Sequence, residues 1–408
     1  MLDFRNAIAK IWQELSVSFF PINTGVLFMD KLRIAVVGTG GMGSFHVGSV
    51  QNIDEVELVA VCDIRPEAAK AHGEKYSIPV YDNHKALLKK EKLDFVMVAT
   101  PHPTHMKIAI DAMKKGVHVL CEKPIASNPA EGDKMVAAAE KYGKKLGLMF
   151  QQRTEAPKKK VHELVHSGVL GKIYRVNMIS TWYRSQAYYD SGTWRGTWAG
   201  EGGGVLFNQA PHDLDQFVWL AGKPSQVRGV VQTRSHDIEV EDSASAMIKF
   251  ENGATGYFHA STVEQPGTYR IELCGDRGKI IFDGRNIKLW VLEEPISEFT
   301  YATKDSFPSI PMREEPVEVP DAPNGHAIVT RDFARAIIED RPPLAPAYEG
   351  IAPVELAAAI IFSSHKGKTI ELPLSRAAYT RFLKEKSKTS KYDPNVVETG
   401  SVGTVKFS

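Results

Sequence analysis

Six consecutive residues, Gly38-Thr39-Gly40-Gly41-Met42-Gly43, carry the spacing G-x-G-x-x-G, and an acidic residue, Asp63, stands twenty positions after the last of them. Glycines so spaced suit a main chain that wraps a phosphate. Gly38 permits a tight turn, Gly40 lets a pyrophosphate approach the backbone, and Gly43 lets the next helix pack close to the strand. A helix opening there would aim its unpaired N–H groups at that pyrophosphate. Asp63 is placed to accept hydrogen bonds from ribose hydroxyls, which favours NAD; Arg65, two residues on, could swing past it to a 2′-phosphate, so NADP is also possible. Much later in the chain Pro211 suits the first turn of a helix that carries His212. The positive end of a helix disfavours imidazolium, so His212 is expected neutral and able to accept a proton from a hydroxyl. A histidine that only caps or packs fits these residues equally well.

Glycine-rich turns are common, and the elements around this one decide its reading. The apolar run 32–37 precedes it, a helix is expected over 42–51, and a second apolar run, 56–62, ends in Asp63. Helices are then expected over 65–76, 84–90, 106–115 and 129–142. They alternate with strands near Val80 and over 93–99, 117–120 and 146–150. This alternation predicts a doubly wound parallel sheet, whose ligands sit beyond the carboxyl ends of its strands. Gly38–Gly43, Asp63, the turn Thr100-Pro101-His102-Pro103-Thr104-His105, and Glu122-Lys123 all fall at that edge. Thr100, His102, His105, Glu122 and Lys123 are therefore candidate cofactor contacts.

From about Arg153 the pattern changes. A helix over 157–167 and strands over 173–182, 226–233, 243–250, 254–261 and 268–274 are joined in part by Asn252-Gly253 and Asp276-Arg277-Gly278, which have hairpin chemistry. Helices return over 326–339 and 352–363. The expected fold class is α/β: a Rossmann unit at 31–150, then an α+β unit at 151–388 with a largely antiparallel open sheet. Residues 1–30 form an extension with helical spacing at Ile8, Ile11, Trp12 and Leu15, and 389–408 a polar tail.

The chain has 408 residues, 50 of them basic and 49 acidic, and this balance, with no like-charge block longer than the Lys158-Lys159-Lys160 run expected on a solvated helix face, argues against nucleic acid and membrane surfaces. Its three cysteines, Cys62, Cys121 and Cys274, lack zinc spacing and fit a reducing cytoplasm. His102 and His105 with His212 and Asp215 show no diagnostic ligand spacing, so no metal is expected.

The motifs together make the sequence resemble the Gfo/Idh/MocA oxidoreductases, the family of glucose–fructose oxidoreductase and inositol dehydrogenase. The resemblance covers about residues 31 to 385 and rests on GTGGMG at 38–43, Asp63, TPHPTH at 100–105, CEKP at 121–124 and GGGVLFNQAPH at 202–212. It implies that Lys123 is the active-site lysine beside the nicotinamide and that His212 is the histidine ending a D-x-x-x-H pattern. Here the aspartate position of that pattern is Asn208. Asparagine orients a hydroxyl but cannot relay its proton, so Lys123 and His212 must share the acid–base work. A lysine paired to Glu122 for structure alone is the competing role.

The implied reaction moves a hydride between nicotinamide and a secondary alcohol of a sugar, sugar derivative or inositol. Trp182, Tyr183, Arg184, Trp194, Arg195 and Trp198 are the expected substrate wall, since aromatic faces with hydrogen-bonding rims suit a carbohydrate or cyclitol; core or interface positions are the alternative for each. Arg153, Gln151 and His326 are further candidates. Two other functions fit the same residues: a glycosidase or lyase that uses held NAD for transient oxidation, and a non-catalytic sensor. The resemblance also implies a homo-oligomer, dimer or tetramer.

Overall fold

The computed structural model describes residues 30–393. The helix expected within 1–30, and the tail beyond residue 393, lie outside the described residues. Strands β1 (Leu32–Val37), β2 (Val56–Cys62), β3 (Val80–Tyr81), β4 (Phe95–Val98), β5 (His118–Cys121) and β6 (Leu146–Leu148) form one sheet in the order β3-β2-β1-β4-β5-β6, every pair parallel. The central strands are short apolar runs buried on both faces, as helices on both sides of a parallel sheet require. The order reverses between β1 and β4, which opens a crevice at their carboxyl ends.

The second sheet has nine strands: β7 (Ile173–Thr181), β8 (Pro224–Gln232), β9 (Ser243–Phe250), β10 (Thr255–Ser261), β11 (Tyr269–Gly275), β12 (Gly278–Phe282), β13 (Ile287–Leu292), β14 (Met312–Glu315) and β15 (Ile370–Glu371). Their order is β14-β13-β12-β11-β7-β10-β9-β8-β15. All pairs are antiparallel except β7 with β10, which makes the sheet mixed. Its inner face carries the alternate buried residues, including Val176, Met178, Ala246, Ile248, Phe258 and Leu273, in one core with helices Pro211–Ala221 and Ile351–Lys366. Its outer face presents the opposite set, with Val230 and Met247 exposed and Tyr257, Ile281 and Trp290 half-buried.

Two features depart from the sequence reading. The Thr100–His105 stretch is not a free turn: His102 opens the helix His102–Lys114, and Pro103 is accommodated because a first-turn N–H needs no carbonyl partner. Helix His326–Ile338 also returns to the first sheet, where Val329, Phe333 and Ala334 join Ile34, Phe95, Met97 and Leu120 in one apolar cluster. The Phe333 ring meets Phe95 edge-on at 5.2 Å, and Leu148 N–H donates to Ala345 O at 2.9 Å.

Candidate active site

The glycine motif occupies the loop from β1 into helix Gly41–Ser49. Gly38 has φ +90°, and a Cβ there would sit 2.5 Å from Ala99 O; a Cβ on Gly43 would sit 1.8 Å from Gly38 O. Both glycines are demanded by the protein itself. Gly40 is different, since a Cβ there would meet nothing within 4 Å. No contact among the described residues requires a glycine there, and the space lies at the helix N-terminus, where a phosphate would fit. Asp63 follows β2, with one carboxylate oxygen accepting Thr39 N–H at 2.8 Å and the Thr39 hydroxyl at 3.1 Å, and the other accepting Arg65 N–H at 3.0 Å. Two carboxylate oxygens offer about four lone-pair positions, so capacity is left for a ribose hydroxyl. Open room before Gly40, a helix N-terminus and Asp63 together fit a dinucleotide. The Arg65 guanidinium stands 3.7 Å from Asp63, beside that carboxylate.

The candidate catalytic residues come from the end of β5 and from helix Pro211–Ala221. Lys123 follows β5, and its Nζ donates to Asn208 O at 2.8 Å. Burial depresses the Lys123 pKa, against the opposing charge of Glu122. Glu122 does not take the lysine side chain as a hydrogen-bonding partner. One of its oxygens lies 2.7 Å from His46 Nε2 and the other accepts Lys123 N–H at 3.1 Å. Burial would raise the Glu122 carboxyl, but the His46 hydrogen bond and the charges of His46, Lys123 and His326 hold it below its ordinary value. His326 begins the returning helix with its ring 5.5 Å from that of His46, and burial pulls it down to about 4.

Residues 205–209 form one wide π turn, held by Glu241, whose Oε1 accepts the N–H groups of Gly204 at 2.9 Å and Leu206 at 3.2 Å. Such turns insert a residue and re-aim the chain beyond them. Here the turn brings the Asn208 carbonyl to Lys123 and leads directly into the helix bearing His212. Burial, reinforced by Lys123, Lys158 and His326, drives the His212 pKa well down, so the imidazole is neutral. Its Nδ1 is buried without a hydrogen-bond partner among the described residues. Asp213 beside it accepts from Ser180, and burial raises it to about 6.

The substrate candidates divide. The Arg195 guanidinium lies 4.4 Å over Trp194 and 4.6 Å over Tyr188, and donates to Tyr188 Oη at 2.9 Å. Arg184 lies 5.5 Å over the same tyrosine and 6.0 Å over Trp182. The Trp194 ring meets His102 at 5.8 Å. Trp182, Arg184, Tyr188, Trp194, Arg195 and His102 thus form one continuous surface; Tyr188 is the member that sequence reasoning missed. Trp198 is not part of it. Its ring contacts His365 and Phe382, inside the second unit. Arg153 also stands apart, its fork closed on Asp215 at 2.8 and 2.6 Å and on Glu349. His105 is fully buried, with Nδ1 3.0 Å from Pro124 O and Nε2 2.7 Å from Thr100 O, so it ties the Thr100 loop to the Lys123 loop and does not face a ligand. His46, Glu201 and Glu241 were also missed. Only His46, one helical turn after Gly43, carried a spacing that could have drawn attention.

Two sequence models match the chain. One, described as the oxidoreductase family with an NAD-binding Rossmann fold, covers residues 32–150, and the other, the GFO/IDH/MocA C-terminal domain, covers residues 159–281. The D-glucoside 3-dehydrogenase of Escherichia coli is 30% identical over 61% of this chain and 76% of its own length. The chain belongs to the Gfo/Idh/MocA family. The myo-inositol 2-dehydrogenase of Thermotoga maritima is a further family relative, 28% identical over 62% of this chain and 75% of its own length. Among solved structures of the family, the WlbA dehydrogenase of Chromobacterium violaceum, in complex with NADH and UDP-GlcNAcA, is 30% identical with a TM-score of 0.74, covering 85% of this chain and 97% of that one. Family membership makes this chain an NAD-binding oxidoreductase, in agreement with the fit at Gly40 and Asp63.

Proposed function

We propose that the protein oxidises a secondary alcohol of a sugar, sugar derivative or cyclitol, with Lys123 and His212 handling the hydroxyl proton. The observation that carries this reading is the buried, partnerless Nδ1 of a neutral His212 within electrostatic reach of Lys123. A buried nitrogen without a protein partner calls for one, and beside Lys123 at the carboxyl edge of the sheet a substrate hydroxyl is the partner that fits. Bound NAD would supply the hydride acceptor. The depressed Lys123 amine, held by the Asn208 carbonyl, takes the hydroxyl proton in its neutral form and polarises a carbonyl in its ammonium form. Neutral His212 offers a second acceptor. The Trp194–Arg195–Tyr188 surface supplies apolar faces and rim donors for a polyol. The relatives act on glucosides and inositols, which supports that substrate class.

Asp63 disfavours a 2′-phosphate, so NAD is the preferred cofactor and Arg65 leaves NADP accessible. The chain divides for function into 31–150 for the cofactor and 151–388 for substrate and assembly, with 326–347 returning to the first sheet. The open outer face of the second sheet, with Val230, Met247, Tyr257, Ile281 and Trp290, is the surface we assign to a homo-oligomer. The free thiols of Cys62, Cys121 and Cys274 fit a cytoplasmic protein, and no helix among the described residues is long and apolar enough to cross a membrane. The test is reduced-nicotinamide absorbance on mixing the protein with NAD or NADP and D-glucose, methyl β-D-glucoside, D-glucuronate or myo-inositol. Turnover is expected with NAD. Bound cofactor with no net reduction, and cleavage of the glucoside instead, would replace this reading with transient oxidation.

A further inference from the structure

Glu201 ends the short helix Trp198–Glu201 with no exposure to solvent, and the proton handling proposed for Lys123 and His212 does not use it. Its Oε2 accepts Gly196 N–H at 2.7 Å, its Oε1 accepts an N–H of the Asn208 amide, and its backbone carbonyl lies 3.2 Å from His102 Nδ1. Asn208 is the residue whose own carbonyl holds Lys123 Nζ at 2.8 Å. The Asn208 side-chain oxygen accepts no hydrogen bond among the described residues. A buried carboxylate therefore grips one end of an amide in the loop that holds Lys123 and leaves the other end without a hydrogen-bond partner among the described residues.

We propose that Glu201 is a positioning residue that sets which end of the Asn208 amide faces the substrate and holds the proton that asparagine cannot. This rests on the proposed alcohol oxidation. With Glu201 ionised, the amide N–H is held and Oδ1 faces outward as an acceptor for a substrate hydroxyl, the arrangement that oxidation needs. With Glu201 protonated, its O–H donates to Oδ1, the amide turns over, and the NH₂ faces outward as a donor to a carbonyl oxygen, the arrangement that reduction needs. One proton bound by Glu201 exchanges one orientation for the other; the Glu201 O–H is the only covalent bond formed, and the amide turns by rotation alone. The surroundings allow both forms near neutrality. Burial pushes the carboxyl up to about 7 against the pull of Arg195, the Gly196 N–H and the Asn208 amide, while Glu241 adds to the push. Lys123 is a further charge within reach, and Tyr188, Tyr189 and His102 are its neutral neighbours. The carboxyl that position 208 lacks is supplied by position 201.

The test compares wild type, Glu201→Gln, Glu201→Asp and Asn208→Asp as full-length, NAD-loaded proteins. Two signals are read: kcat against pH in both directions with the best substrate of the panel, and the carboxylic-acid infrared band between about pH 5 and about pH 9, either side of neutrality. Wild type should show a step near pH 7, rising for oxidation and falling for reduction, with a band that titrates with it. Glu201→Gln should remove the step and the Glu201 share of the band, read as the wild-type-minus-variant difference because the buried Glu241 and Asp213 carboxyls also titrate near neutrality. It should also lower kcat at least roughly tenfold while the KM for NAD stays within twofold, the split expected of lost positioning. Glu201→Asp should restore the step. Asn208→Asp places two carboxyls on one proton and should move the step up by about a unit or more. An unchanged step and a kcat within twofold in Glu201→Gln overturn the proposal. If Glu201→Gln does not bind NAD, an unshifted step in Asn208→Asp overturns it instead. If wild type turns over nothing in the panel, the functional reading fails on its own. The infrared difference between wild type and Glu201→Gln then decides Glu201: a component that titrates near pH 7, is lost in Glu201→Gln and shifts in Asn208→Asp supports the proposal, and identical bands in wild type and Glu201→Gln refute it.

Discussion

Replacing Gly40 and Gly43 each with alanine should separate the cofactor's demands on the loop from the protein's own. At Gly43 the new methyl carbon would stand 1.8 Å from Gly38 O and 2.7 Å from Gly38 C, both backbone atoms that cannot swing aside. Overpacking of this kind costs about 1–3 kcal/mol, so Gly43→Ala should lower the urea midpoint visibly as well as weaken NAD binding. At Gly40 the methyl meets nothing within 4 Å, and the backbone, with φ −65° and ψ −161°, suits any L-residue. Stability should change by no more than about 0.5 kcal/mol. The same methyl stands where the pyrophosphate must approach, so the Kd for NAD should rise at least tenfold, which is about 1.4 kcal/mol. Urea titration and NADH fluorescence on the same samples measure both. A Gly40→Ala protein that binds NAD within twofold of wild type, or that unfolds like Gly43→Ala, would refute the phosphate cradle.

Two further outcomes rest on the charges. The Lys123 pKa lies below its ordinary 10.5, so kcat/KM for alcohol oxidation should rise with pH through that lowered value and level off before pH 10.5, while carbonyl reduction, which uses the ammonium, should fall over the same range; Lys123→Arg, locked in its charged form, should lose the oxidation limb. Arg153→Met should strand the Asp215 carboxylate in the core and destabilise by about 3–5 kcal/mol in urea titration. Its NAD affinity should stay within twofold; an unchanged midpoint with an altered substrate KM would instead make Arg153 a substrate contact.

The parallel sheet was legible because its strands are buried on both faces and its glycines are spaced by a backbone requirement. The strands β8 to β11 were legible for a similar reason, since period-two apolar patterning and the Asn-Gly turn chemistry between β9 and β10 are local signals. What stayed hidden was held by contacts distant in sequence. Nothing local in 326–338 says that Phe333 fills a gap beside Phe95, 238 positions away, rather than one in the second sheet. Trp198 and Trp194 are four residues apart with similar flanks, yet one packs on Phe382 and the other on His102. Arg153 could not reveal that Asp215 and Glu349 close its fork. Glu201 read as one polar residue in a glycine-rich loop, and only the fold shows it buried against Asn208.

The most direct test of Lys123 and His212 as the proton-handling pair is the steady-state rate of NADH formation for wild type, Lys123→Ala and His212→Ala, with NAD affinity measured in parallel. The account predicts that each substitution lowers kcat by about 10²-fold or more, while NAD still binds. Wild-type turnover retained in either variant would contradict it.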